Sequence, residues 1–302
     1  MYPCSNPELV AAVSEAGALG VVQPLSLIYV YNYNLRDGLK YIRQLTQKPY
    51  GFNVLTEASS KKYIDRMKSW VDIAIEEGCR FFITALGNPK WIVDRVKSVN
   101  GIVYHDVTEL KWAQKALDAG VDGFICVNNR AGGHTGIKSA SDLFKEISPL
   151  KKTLVCAGGV GDETDFRKML EMGYDAVQMG TRFIATQECK AHEDYKRAIV
   201  ASHESDIFLT KKITGVPVSV IRTPSVEKLG EEVGVIMKFM LSHPRLKHWA
   251  RLYYSLKSLW SLKRASLKGL SYKDFWQAGK SVEHIDKIES VSEIITRFSK
   301  GA

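Results

Sequence analysis

A histidine set behind two glycines is a place where a proton could be moved. In the stretch NNRAGGHTG, residues 128–136, His134 directly follows Gly132 and Gly133, and the apolar run GFICV precedes the whole stretch. An imidazole can act as a general base near neutral pH or, once protonated, hold an anion. Most lone histidines are structural, but this one falls in a loop beyond a strand, where the glycines leave room for a bulky planar ligand. Two further stretches read as anion sites. AGGVGDETDF places Gly158 and Gly159 between an apolar run and a helix, and QMGTRF places Gln178, Met179, Gly180 and Thr181 at the end of the next run. Backbone N–H groups at glycine turns, and the positive end of a helix, receive phosphate. Either stretch alone is a weak signal, since glycines end many strands; together they predict a phosphorylated cofactor or substrate. Asn53, inside GFNVL, is an uncomfortable residue for a strand, and its amide could face a flat heterocycle. His105 and Asp106, at the end of GIVYHDV, are a weaker pair of candidates.

Such residues meet only if the elements bearing them end on one rim. Apolar runs at 19–22, 50–55, 80–86, 101–107, 123–127, 153–159 and 176–181 predict seven strands. Between them lie amphipathic segments such as NPKWIVDRVKSV and DETDFRKMLEMG, several opened by a capping Asp, Asn or Ser and closed by Gly. This alternation predicts an α/β fold with a parallel sheet. No G-x-G-x-x-G follows the first strand, which argues against a dinucleotide fold. Glycine turns after the last two strands favour a (β/α)8 TIM barrel instead. Such a barrel needs an eighth strand, and because NPELVAAVSEAG reads as the loop and helix after a strand, the first strand is expected upstream of Met1. The barrel is assigned to 1–224 and a smaller, mostly helical domain that covers the active site to 225–302. In the latter, Leu246, Trp249, Tyr253, Leu256 and Trp260 make an aromatic stripe on a basic helix, read as packed on the barrel or at a subunit interface.

With 302 residues, 45% hydrophobic and 25% charged, the chain is ordinary globular protein. No apolar run approaches the roughly 20 residues of a membrane span, and the N-terminus lacks a signal peptide pattern, so a cytoplasmic location is expected. Five dispersed cysteines without a C-x-x-C pair predict neither disulfides nor a zinc site, and no metal is expected. A net charge of +9 suits anionic partners without choosing among them.

Taken in order, NPELVAAVSEAGALG, GFNVL, AGGHTG, CAGGVGD, QMGTRFIAT, AHEDYKRAI and YKDFWQAGKSV resemble the nitronate monooxygenases. The resemblance covers most of the chain and implies an FMN-binding (β/α)8 barrel. In it His134 matches the catalytic base, and Asn53, Gly132, Gly159, Gln178, Met179, Gly180 and Thr181 match flavin contacts; Gly133 and Gly158 extend that cofactor-binding set. The implied reaction is oxidation of alkyl nitronates such as propionate 3-nitronate, and of nitroalkanes, with O2 to a carbonyl compound and nitrite. The expected partners are a small anionic nitronate and O2, with a homodimer allowed and neither nucleic acid nor membrane. Two departures stand out: the family's opening strand, similar to P-I-I-Q-G-P-M, is reduced to Met1, and a glutamine expected near the sixth strand's end is Val127, followed by Asn128 and Asn129 as substitutes. The nearest rival is an FMN-dependent enoyl-acyl carrier protein reductase using NAD(P)H. A catalytically silent flavin- or partner-binding module is the other.

Overall fold

In the computed structural model, which describes residues 2–56, 61–213, 217–230, 263–264, 266–267 and 275–300, each apolar run becomes a strand of one sheet. The elements are α1 (Pro7–Glu15), β1 (Val21–Val22), α2 (Leu35–Leu45), β2 (Gly51–Leu55), α3 (Lys61–Glu76), β3 (Phe81–Ala85), α4 (Lys90–Lys97), β4 (Ile102–Val107), α5 (Leu110–Asp118) and β5 (Gly123–Val127). There follow β6 (Gly133–His134), α6 (Ala140–Ile147), β7 (Thr153–Ala157), α7 (Glu163–Glu171), β8 (Ala176–Gln178), α8 (Thr181–Ile184), α9 (Glu193–Ala201), β9 (Ile207–Thr210), β10 (Val218–Ile221), α10 (Pro224–Leu229) and α11 (Val291–Ser299). The main sheet runs β1-β2-β3-β4-β5-β7-β8 and its pairs are parallel. Helical crossovers curl it into the expected TIM-barrel architecture. Among the described residues no strand joins β1 to β8, so a seam separates these two edges.

Strand alternation divides the core in two. Phe52, Val54, Phe82, Val103, Phe124, Cys126, Leu154 and Cys156 point outward and pack against the helices. Burying a side chain of the larger kind contributes roughly 1.5–3 kcal/mol. Ile83, Ile125, Val155 and Ala157 point into the lumen. Near the lower end, Phe81 and Tyr104 meet edge to face at 4.9 Å. Gly51 and Gly123 leave the space these two rings fill, since a Cβ at Gly123 would come within 2.8 Å of the Tyr104 ring. The five cysteines are free and buried, as small apolar residues.

Two strands end earlier than their apolar runs. Gly158 and Gly159 turn to φ +118° and +85°, outside the β region, and Thr181 opens α8. A second, three-stranded sheet, β6-β10-β9, lies apart from the barrel and is absent from the sequence-based expectations. A second core joins Cys4 and Leu9 to Phe183, Ile184, Tyr195, Trp276, Val282 and Phe298, so the segment from 275 onward packs against the start of the chain. Within it Arg182 is 1% exposed. Its guanidinium donates to the carbonyls of Ala185 and Lys287, both at 2.8 Å, and stands 3.6 Å from Glu289. Glu289 is in turn gripped by two nitrogens of Arg297 at 2.6 and 2.9 Å. The aromatic stripe at 246–260 lies outside the described residues.

Candidate active site

The loop after β5 is built around Asn128. Fully buried, it donates to the Gly158 carbonyl at 2.9 Å and accepts from the Arg130 N–H at 2.8 Å, bracing this loop against the turn after β7. Its amide is thereby committed to backbone, and Asn128 does not line the cavity described below. Beyond the brace, Gly133 and His134 pair antiparallel with Ser219 and Val218 of β10. That register, rather than a free loop, aims the imidazole.

The residues expected to form the catalytic and cofactor site come to one cavity of about 1010 Å3: Asn53, Gly132, Gly133, His134, Gly158, Gly159, Gln178, Met179, Gly180 and Thr181 all line it, whereas Asn129, like Asn128, does not. The cavity continues to the seam, where Leu9 and Val13 of α1 face Phe166 and Leu170 of α7. His134 is open to this cavity while protein surrounds the ring, and burial lowers its pKa from the ordinary 6.5. A lowered pKa favours the neutral imidazole, the form a base requires. His105 is not part of the site: it points outward between Tyr104 and Asp106, which line the cavity, and its Nδ1 lies 2.8 Å from Thr84 Oγ1. Burial pushes its pKa down to about 4.

The glycines at 132 and 133 do not leave a shelf for a ligand. A Cβ on Gly132 would lie 2.7 Å from the Gly279 nitrogen and 2.9 Å from the Ala278 carbonyl carbon, and one on Gly133 would lie 3.1 Å from the Gln277 amide. The room is taken by a chain segment crossing the mouth. Gly279 N–H donates to Thr181 Oγ1 at 3.0 Å, Lys280 N–H to the Arg130 carbonyl at 2.9 Å, and Tyr195 O–H to the Gln277 carbonyl. Tyr195 also stacks on Trp276 at 5.3 Å. Replacing Gly132 with alanine forces two backbones apart, so about 1–3 kcal/mol of stability is expected to go. Faster proteolysis near residue 279 would mark the lifted segment; unchanged unfolding and cleavage would contradict this reading of the crossing.

The anion-binding expectation is narrowed too. The start of α7 is already served by its own carboxylates: Asp162 accepts from Asp165 N–H at 2.8 Å, and Asp165 accepts from Gly161 N–H at 3.1 Å and bonds His284 Nδ1 at 2.7 Å. Asp162, Asp165 and His284 offer ligand atoms within 4.8 Å of one another, but these bonds account for them as a bracket tying 280–284 to α7. The glycine turns at 158–159 and 180–181 line the cavity without such carboxylate partners of their own. Arg130, which lines the cavity, and Lys280 share Glu204, at 2.7 and 3.0 Å, and the Glu204 N–H donates in turn to Glu283 at 2.7 Å. Asp106 lines the cavity as well, and no motif in the sequence marks Arg130.

Two glycine turns, a lumen walled by Ile83, Ile125, Val155 and Ala157 and an inward histidine share this one cavity. The sequence profile described as nitronate monooxygenase matches residues 1–301. The chain belongs to the nitronate monooxygenase family. Among relatives of this family member, a protein of Staphylococcus saprophyticus named probable nitronate monooxygenase is 28% identical over 276 residues, covering 76% of each chain. A second, the (3aS,4S,5R,7aS)-5-hydroxy-7a-methyl-1-oxo-octahydro-1H-indene-4-carboxyl-CoA dehydrogenase of Rhodococcus jostii, is 28% identical over 226 residues; the match takes in 74% of this chain but 62% of that one. The solved structure of FabK from Thermotoga maritima superposes with a TM-score of 0.81 at 29% identity, over 100% of this chain and 90% of that one. Among the described residues of this family member, no helix is long and apolar enough to cross a membrane.

Proposed function

We propose that this nitronate monooxygenase family member binds FMN in the barrel lumen and oxidises alkyl nitronates, with O2, to a carbonyl compound and nitrite. The observation that carries the reading is the convergence of a neutral inward histidine and two glycine turns on one cavity. The residues fit the cofactor: the turns at 158–159 and 180–181 would take the phosphate, while Asn53, Gln178 and Met179 would meet the ring. When bound, the flavin supplies the electron transfer that no side chain here can. His134 removes the α-proton from a neutral nitroalkane; a substrate that arrives as the anion needs no such step. Arg130 is the one cationic side chain at pH 7 among the described residues lining the cavity, and it would meet the anion. The segment 275–282 roofs the mouth and keeps bulk water from the lumen.

Relatedness to a carboxyl-CoA dehydrogenase favours one second reading, a flavin-dependent thioester oxidoreductase such as an enoyl-acyl carrier protein reductase using NAD(P)H. One experiment decides. The purified chain, supplied with FMN, is expected to show flavin absorbance bands that bleach or shift on anaerobic addition of propionate 3-nitronate, and to release nitrite in air. Nitrite-free oxidation of NADH with crotonyl-CoA would replace the proposal by the second reading; no flavin bands at all would sink both.

A further inference from the structure

The lumen contains one polar group that the reading above leaves unused. Asp106 sits on β4 with Tyr104, both lining the cavity, and in register its neighbours are Ile125 on β5 and then Val155 on β7. Neither can hydrogen bond it. Its Oδ1 is buried and has no hydrogen-bond partner among the described residues, and of the buried atoms in that condition it alone belongs to a residue lining the cavity. A buried polar atom left unpaired is unfavourable by about 1–3 kcal/mol, and more if charged. Such an atom on a cavity wall points to a ligand that completes it.

We propose that Asp106 meets the bound flavin as a neutral carboxylic acid and donates a hydrogen bond to an acceptor atom of its ring. The inference rests on the flavin reading of the site and adds a positioning residue to it. Burial pushes the Asp106 carboxyl up from 3.8 to about 7, against a smaller opposing pull from the chain's amino group. The other titratable or charged side chains lining the cavity are Tyr2, Tyr104, Arg130, His134, Asp175 and Tyr195. A protonated acid offers one O–H donor, and a flavin ring offers carbonyl and ring-nitrogen acceptors. Once ionised, Asp106 loses that donor and presents a negative charge to acceptor atoms. Flavin binding is then expected to weaken as pH rises through the Asp106 pKa.

The test compares the intact chain with Asp106→Asn, which keeps a neutral donor of the same shape, and Asp106→Leu, which keeps neither donor nor acceptor. FMN affinity is read from flavin fluorescence quenching between about pH 5 and 9, and the ratio of parent to Asp106→Asn affinity, which cancels the titration of the FMN phosphate, should be level below about 7 and fall about tenfold per pH unit above it. Asp106→Asn should show no fall centred near pH 7, and Asp106→Leu should bind at least tenfold more weakly than the parent at low pH. A parent-minus-Asp106→Asn infrared difference should show a protonated carboxyl band at pH 6 that is gone by pH 9. Thermal melts of the variants check that each is folded. The proposal is overturned if parent and Asp106→Asn share one pH dependence, or if the infrared difference at pH 6 shows a carboxylate. If no chain binds FMN at any pH, the flavin reading falls and takes the donor role with it, a result distinct from normal binding with a flat pH profile.

Discussion

Replacing His134 with alanine lowers turnover of neutral nitroalkanes by about 10²–10⁴-fold, the usual contribution of a positioned general base, and leaves FMN bound. The backbone of residue 134 stays paired to β10, because that pairing uses main-chain atoms only. A preformed nitronate needs no deprotonation, so its oxidation falls much less. The same residue sets a pH limit. Burial lowers the His134 pKa below 6.5, so the neutral base is fully present at pH 7 and is lost only as pH falls through that lowered value. The acid limb for nitroalkanes should therefore lie below pH 6.5 and vanish in His134→Ala. Nitrite release from the two substrates, followed across pH, checks both points; equal losses on nitroalkane and nitronate would refute His134 as the base.

The largest stability effect is expected at Glu289. Changing it to glutamine removes the carboxylate nearest the buried Arg182 guanidinium and one of the two that hold Arg297, which keeps Glu163 at 3.1 Å; the expected loss is about 3–5 kcal/mol, the scale for breaking a buried pair from one side. Arg182→Met should be milder, since Glu289 keeps two hydrogen bonds from Arg297 and only the Ala185 and Lys287 carbonyls lose a donor. Chemical denaturation of the two variants measures the order. Equal or reversed effects would show that the carboxylate is not what makes the buried cation tolerable. Arg182 immediately follows Thr181, so Glu289→Gln should also loosen the phosphate cradle.

The barrel strands were legible because each is a short apolar run of β-branched and aromatic residues, and parallel strands buried on both faces leave little else. The candidate site was legible for a different reason: His134, Asn53 and the glycine turns are residue types that strands and helices do not need where they stand. What remained hidden depends on long-range contact. IFLT and VSVI, at 207–210 and 218–221, are too short to read as strands without knowing that Gly133 and His134 wait to pair with them. Gly132 was read as space for a ligand, and only the crossing of Gly279 shows what its missing side chain admits. Asp106 was noticed merely as a neighbour of His105, because nothing in the local sequence tells which of two adjacent residues faces inward when both are polar. Arg182 likewise carries no local mark of its burial.

The roof over the lumen also dates the site within the life of the chain. Gly279 reaches Thr181 across 98 positions of sequence, and the core under the roof joins Trp276 and Phe298 to Cys4 and Leu9. Chains emerge from the ribosome N-terminus first, and contacts this distant in sequence close late because loop entropy must be overcome before they form. A nascent barrel therefore exposes an open, acid-bearing lumen until the residues near 279 are released. The roof therefore closes over the lumen only after most of the barrel has been made.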